Sequence, residues 1–221
     1  QKDAKYEKIV TAEIGYGLNL EKFNLNLNGY YTKWMDKSVT KSIGNEKATI
    51  PNIDAIHMGI ELEAEYKPLD FKAMFSLGDW KWGDDVLFDL YNDQQELIGS
   101  FKAYIKDLHV GNAAQTTASL MGTWEPLPKF RIGVDWNYFG RNYADFDPTL
   151  RNNASDRTLD ANVSYKFKIG KVGANFYCNV NNILDKEYIA DAKDGSDHSA
   201  KSALVYFGNG ITWSTGLKIT F

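Results

Sequence analysis

Near the end of the chain, Ile211, Trp213, Thr215, Leu217, Ile219 and Phe221 share one parity, and Gly210, Thr212, Ser214, Gly216, Lys218 and Thr220 share the other. A period of two over about ten residues is a strand with two unlike faces. One face is apolar with an aromatic near each end, and the other is small or polar. That suits a strand with lipid on one side and a watery lumen on the other, although the edge strand of a soluble sheet also alternates. The same pattern recurs upstream. Val10, Ala12, Ile14, Tyr16 and Leu18 alternate with Thr11, Glu13, Gly15, Gly17 and Asn19. Phe23, Leu25, Leu27, Gly29 and Tyr31 alternate with Asn24, Asn26, Asn28, Tyr30, Thr32 and Trp34. Three Asn on one face are too polar for a packed core, where each buried amide needs partners, but a wet lumen solvates them.

Further strands follow at about 57–66, 71–80, 117–124, 130–141, 159–168 and 172–181, before the last at 208–221. These nine are joined alternately by very short turns and by long connections, expected as loops at 36–54, 83–114, 144–156 and 182–207. Aromatics on the apolar parity bracket the short turns: Tyr16 and Phe23, Tyr66 and Phe71, Trp124 and Phe130, and Phe167. Rings at one common height are what a membrane–water interface selects. The pattern predicts an all-β fold, a transmembrane antiparallel β-barrel with short turns on the inner side and long loops outside. A closed bacterial barrel has an even number of strands, and nine is odd. The expectation is therefore that residues 1–221 are the last portion of a larger barrel, beginning inside an outer loop.

Composition narrows this without changing it. Aromatics make up 14% of the 221 residues, and 18 Gly stand against 5 Pro, a strand-rich balance. A net charge of -4 and a pI of about 5.4 give no electrostatic case for nucleic acid. The mean hydropathy of -0.42 excludes a helical membrane protein but not a barrel, whose lumen face cancels its lipid face in any average. The first residues, Gln1 to Lys5, are polar and unlike a cleavable leader. Cys178 is the sole cysteine, so no internal disulfide or two-thiol metal site is available, and its parity faces it to lipid.

Several runs resemble a known family. Asn179 to Tyr188 (NVNNILDKEY) is similar to the run in the penultimate strand of TonB-dependent receptors. Residues 208–221 resemble their closing strand with its terminal Phe. Gly59 to Glu63 followed by Lys67 and Pro68 resembles their recurring G-x-E-x-E…P strand. Val110 to Ala113 followed by Thr116 is similar to a later strand entrance, with Ala114 where Pro is usual. The Asn-rich lumen and last strand most resemble receptors of the Bacteroidota. The resemblance implies that the chain supplies the last nine strands of a barrel of about 22. It implies residence in the outer membrane of a Gram-negative bacterium, in contact with its lipids. It also implies an N-terminal plug and earlier strands outside this chain, and energy from the TonB complex acting on that plug. The activity implied is active uptake of a scarce nutrient such as an iron chelate, cobalamin or a glycan, with a surface lipoprotein as a further partner in glycan-importing relatives. In the closing strand, Trp213, Leu217, Ile219 and Phe221 are expected to form the assembly signal.

No catalytic set or cofactor motif is visible. His57, His109 and His198 are scattered, without nucleophile or metal spacing. Extending each polar face outward brings Trp34, Trp80, Trp82, Phe139, Arg141 and Tyr143 to the outer mouth of the lumen. Aromatics with an Arg among them suit sugar rings or an anionic chelate, or pack against loops. Glu61, Glu63 and Glu65 form an acidic stripe on the lumen wall, facing a plug or simply hydrated. Asp185, in the 182–188 run, is expected to satisfy turn amides. The readings in competition are a passive channel or adhesin barrel without a plug, an outer-membrane enzyme barrel, and a soluble β-sandwich.

Overall fold

The computed structural model describes residues 5–43, 46–92, 94–111, 113–143, 151–152, 156–193 and 204–221, with the side chains of 40–43, 46–49, 151–152 and 191–193 excepted. In chain order the strands are β1 (Lys8–Asn19), β2 (Phe23–Ile43), β3 (Glu46–Tyr66), β4 (Phe71–Trp82), β5 (Val86–Tyr91), β6 (Leu97–Ala103), β7 (Ala114–Leu127), β8 (Phe130–Tyr143), β9 (Arg151–Asn152), β10 (Asp156–Ile169), β11 (Val172–Asn181), β12 (Ile189–Lys193), β13 (Leu204–Phe207) and β14 (Thr212–Thr220). Nine of them make one continuous antiparallel sheet in the order β1-β2-β3-β4-β7-β8-β10-β11-β14. These are the nine alternating segments of the sequence. Among the described residues β1 and β14 each pair on one side only, so the sheet is an open wall rather than a closed barrel.

Register carries the two-faced pattern across the whole wall. Leu27, Leu62, Phe75, Ala118 and Tyr138 follow one another directly from β2 to β8. Leu217, Phe176, Tyr165 and Phe130 continue the apolar face from β14 back to β8. One residue out of phase, Asn28, Glu61, Ser76, Thr117, Phe139 and Asp156 form a row on the other face. A slip of one residue at any pair would exchange the faces, so apolar and polar positions fix the register together. The apolar side remains uncovered: Ile14 is 80% and Trp213 72% exposed. A contiguous apolar surface of this extent marks a membrane-facing side.

Two aromatic levels bound that side. Phe23, Tyr66 and Phe71 lie in one row beside the short turns, and Phe130 and Tyr165 meet edge to face at 6.4 Å. At the opposite end Tyr31, Trp136, Tyr138 and Trp213 share the apolar face, with Trp136 and Tyr138 stacked at 6.3 Å. Just beyond, the row Val10, Lys33, Ile56 and Lys81 brings in charge. The span between the girdles has no dry core. All six buried apolar side chains found among the described residues, Ile50, Ile53, Ala55, Trp82, Val86 and Ile105, sit above it.

That small core explains where three expected loops differ from the structure. Residues 36–54 are chiefly strand, because β2 and β3 each run 21 residues and continue pairing above the membrane. The β5–β6 hairpin, within the expected 83–114 loop, pairs through β5 with β3. Ile53 is fully buried beneath it, with Trp34, Phe88, Leu108 and Val110 packed against the cluster. Burying these side chains stabilises the extension, whose exposed neighbours are too polar to reveal it by periodicity. Strands β12 and β13 form a separate hairpin within the expected 182–207 loop. Of the expected loop 144–156, residues 144–150 and 153–155 lie outside the described residues.

The short turns are built by specific residues. Pro68 opens a single 3-10 turn, Lys67–Leu69, and Asp70 closes it in the left-handed region at φ 45°. Gly170 takes φ 61° in the β10–β11 turn, where a side chain would be strained. Arg131 Nη2 reaches Asp70 Oδ2 at 2.9 Å and links two neighbouring turns.

Candidate functional site

At the outer end of the polar face the alternation of β2, β3 and β4 assembles an aromatic platform. Thr32, His57 and Trp80 share one row, and Trp34, Ala55 and Trp82 the next. Tyr30 stands one row inward, opposite Gly59, with Gly78 beyond it. These two glycines are required by close approach. A Cβ on Gly59 would lie 2.6 Å from the Tyr30 hydroxyl, and one on Gly78 would lie 2.6 Å from Trp80 Nε1. The rings therefore lie flat over glycine, and Trp80 Nε1 donates to the Tyr30 hydroxyl at 2.9 Å. The His57 ring is 5.5 Å from that of Trp80.

Trp34 extends the platform. Its Nε1 donates to Glu7 Oε2 at 3.1 Å, and the Lys37 ammonium sits 4.2 Å from its ring centroid. A cation over an indole face is stabilised by the ring quadrupole. The arrangement offers half-buried ring faces, an ammonium and a hydroxyl–imidazole pair at the mouth of a polar wall. It can hold a ring-bearing solute by stacking and orient it by hydrogen bonds.

The other expected mouth residues divide. Trp82 is 4% exposed and belongs to the small core, so it supports the platform from beneath. Phe139 stays on the polar face, between Thr117 and Asp156, strands away from Trp80. Arg141 and Tyr143 join a different group. Arg141 takes φ 55°, which breaks the alternation of β8. Its Nη1 donates to Gly78 O at 2.8 Å and its Nη2 lies 3.6 Å from Asp79 Oδ1. Asp79 is opposite Met58 on the apolar parity, and Arg141 borders a shallow groove there with Ile14, Tyr31 and Ile60. Asp79 also holds Lys81 Nζ at 2.8 Å and His109 Nε2 at 3.3 Å, and Tyr143 stacks on His109 at 4.1 Å. This is an outward-facing ionic cluster above the membrane girdle. Burial pulls the His109 imidazole below its ordinary value; Asp79 pulls it back up, and Lys81 and Arg141 push it down, leaving it lowered.

The acidic stripe lies where expected on the lumen wall. Glu61, Glu63 and Glu65 face Asn28, Asn26 and Asn24 on one side and Ser76, Met74 and Lys72 on the other. Glu65 accepts from Asn24 Nδ2 at 2.7 Å and lies 3.7 Å from Lys72. Trp213, Leu217 and Ile219 project from the edge strand β14 on the apolar face, opposite Val180, Phe176 and Ala174. No group of three or more His, Cys, Asp or Glu able to hold a metal occurs among the described residues.

Sequence reasoning missed Tyr30, Lys37 and Gln115. Tyr30 had a signal: it is a ring on a face otherwise occupied by Asn and Thr. Gln115 had none, since a glutamine before a strand looks solvated, yet it is 1% exposed.

Residues 2–183 match the family model described as TonB dependent receptor-like, beta-barrel. Among solved structures, the chain is similar to the ferric-catecholate import receptor Fiu from E. coli K12, at 14% identity and TM-score 0.62, over 99% of this chain and 28% of that one. It is also similar to the copper transporter OprC, at 19% identity and TM-score 0.63, over 98% of this chain and 31% of that one. At these identities the likeness shows the fold, and the chain spans less than a third of the length of either structure. No curated protein sequence matches it.

Proposed function

Because the chain belongs to the TonB-dependent receptor β-barrel family, whose members are outer-membrane transporters of Gram-negative cells and not enzymes, we propose that it forms part of the wall of a receptor for active nutrient uptake. The observation that carries this reading is the aromatic platform of Tyr30, Trp34, His57 and Trp80 at the outer end of the polar, lumen-side face. In this reading the wall is completed by earlier strands, a plug fills the lumen, and the TonB complex supplies energy through that plug. A nutrient lands on the ring faces from outside. Stacking surfaces beside Lys37 suit a ring-bearing solute with an anionic group, the chemistry of an aromatic iron chelate or an acidic glycan. The Asn-rich face supports the narrower assignment to a Bacteroidota-type receptor, in which a surface lipoprotein is a further partner.

The test is growth on a single limiting nutrient. A strain deleted for the receptor is complemented with the wild type or with Trp80→Ala, and iron chelates, cobalamin and glycans are supplied in turn. The expected outcome is rescue for one nutrient class, abolished by deleting TonB. Trp80→Ala is expected to weaken binding about tenfold, roughly 1.4 kcal/mol, with normal membrane assembly. Rescue that persists without TonB assigns the wall to a passive channel instead.

A further inference from the structure

On the polar face, at the short-turn end of β10, β11 and β14, lies a recess of about 550 Å³ lined by Lys129, Lys166, Lys168, Asn175 and Lys218 among others. Register makes it a built feature. Lys166, Asn175 and Lys218 occupy one row, and Lys168, Gly173 and Thr220 the next. Gly173 leaves open floor beside the ammonium groups; a Cβ there would meet nothing closer than 3.7 Å. No acidic side chain pairs with these lysines among the described residues. Glu125, close to Lys129 in sequence, accepts instead from the Lys129 backbone N–H at 2.7 Å. Between the two ammonium-bearing strands the Asn175 Oδ1 is buried without a hydrogen-bond partner. A buried amide oxygen of this kind calls for a donor from something seated in the recess.

The opposite part of the wall carries the opposite sign. Glu61 and Glu63 project from the same face of β3. A concave surface with cations clustered at one place and carboxylates at another attracts an object of complementary charge and fixes its orientation. A small free anion answers the lysines alone. A folded polypeptide insert answers both, and its own N–H groups supply the donor that Asn175 lacks.

Resting on the receptor reading above, we propose that Lys166, Lys168 and Lys218 form the docking site for an acidic patch of the polypeptide that fills the barrel. The insert is oriented by this contact, with its basic side toward Glu61 and Glu63.

The test is zero-length carbodiimide coupling of the full-length receptor in outer-membrane vesicles, read by peptide mass spectrometry. Coupling joins a lysine to a carboxylate only in direct contact. Lys72 and Glu65, 3.7 Å apart, give an internal control. The expected result is the control cross-link together with cross-links from Lys166, Lys168 or Lys218 to Asp or Glu of the insert. The triple variant Lys166→Arg, Lys168→Arg, Lys218→Arg keeps the charge and loses those cross-links while retaining the control. A control cross-link with none from the three lysines overturns the docking site. Protection of the lysines by added phosphate, again without cross-links, assigns the recess to a free anion and overturns it as well. A precursor that encodes no insert sinks the receptor reading itself, whereas an insert-bearing receptor without these cross-links sinks only the charge pairing.

Discussion

Gln115 holds the backbone of Trp80 with both ends of its amide: Trp80 N donates to Gln115 Oε1 at 3.0 Å, and Gln115 Nε2 donates to Trp80 O at 3.0 Å. Pairing between β4 and β7 ends at Leu77 and Thr116, so the backbone of Trp80 extends past its neighbour. A side-chain amide carries the same donor and acceptor as a peptide group and takes the place of the missing strand. Gln115 Nε2 also donates to Val110 O at 3.2 Å, tying the following segment to the same point. The platform ring of Trp80 is thereby fixed by a residue that never reaches the lumen.

Gln115→Ala is expected to destabilise this outer region by about 1–3 kcal/mol, since buried backbone groups lose their partner. Gln115→Glu retains the acceptor and loses the donor, so it is expected to behave nearly as badly. Limited proteolysis in detergent checks this: cleavage within 83–113 increases for both variants, and unchanged cleavage contradicts the structural role.

Leu62 lies midway along the apolar face, between Leu27 and Phe75. Leu62→Arg puts a charge near the bilayer midplane and is expected to cost about 2–4 kcal/mol. Its neighbour Glu63 is on the polar face, and Glu63→Arg is expected to assemble normally. Heat-modifiable migration on gels reads out both. Normal assembly of Leu62→Arg would reverse the assignment of the two faces.

Asn182 joins the ends of β11 and β14. Its backbone N–H donates to Asp160 Oδ1 at 2.7 Å, its Oδ1 accepts from Lys186 N at 3.0 Å, and its Nδ2 donates to Lys186 O at 2.9 Å and to Asn209 O at 3.2 Å. Its φ of 51° also favours Asn over most residues. Asn182→Gly keeps the backbone freedom and loses the amide, so a loss of about 1–3 kcal/mol in that variant isolates the hydrogen bonds. Urea unfolding in detergent measures it. A wild-type midpoint for Asn182→Gly leaves the backbone conformation as the whole role.

His109 supplies a pH dependence with a definite sign. Its folded pKa lies below the ordinary 6.5, chiefly through burial. The fold therefore favours the neutral ring, and this stabilisation is present above 6.5 and lost as pH falls from 6.5 toward the lowered value. The Asp79 carboxylate opposes the shift, so Asp79→Asn is expected to move the midpoint further down. Histidine NMR titration in detergent distinguishes the cases, and an upward move with Asp79→Asn rejects the cluster as described.

The expected role of Asp185 in the turn is visible, since its Oδ1 accepts from Ile211 N at 3.0 Å. The platform was only partly readable. Trp34 and Trp80 were found by extending an alternation, which holds as long as the strand continues undisturbed. Arg141 shows where that fails: one positive φ re-aims a side chain, and nothing in the local sequence reports it. Trp82 shows a second failure. Its position on the polar parity is as expected, but the β5–β6 hairpin and the ends of β2 and β3 close over it.

The sequence by itself determined the nine-strand wall, its two faces and the level of its inner girdle, because each follows from a period of two repeated within single segments. Side chains facing lipid or water are chosen one strand at a time, so their chemistry is legible locally. Only the tertiary structure decided how the polar positions combine. The Tyr30–Trp80 pair, the Gln115 clasp and the row of Lys166, Asn175 and Lys218 join residues dozens of positions apart. Their meeting depends on register between strands and on bulges that shift it, quantities set by the sum of all the pairings rather than by any one stretch of chain.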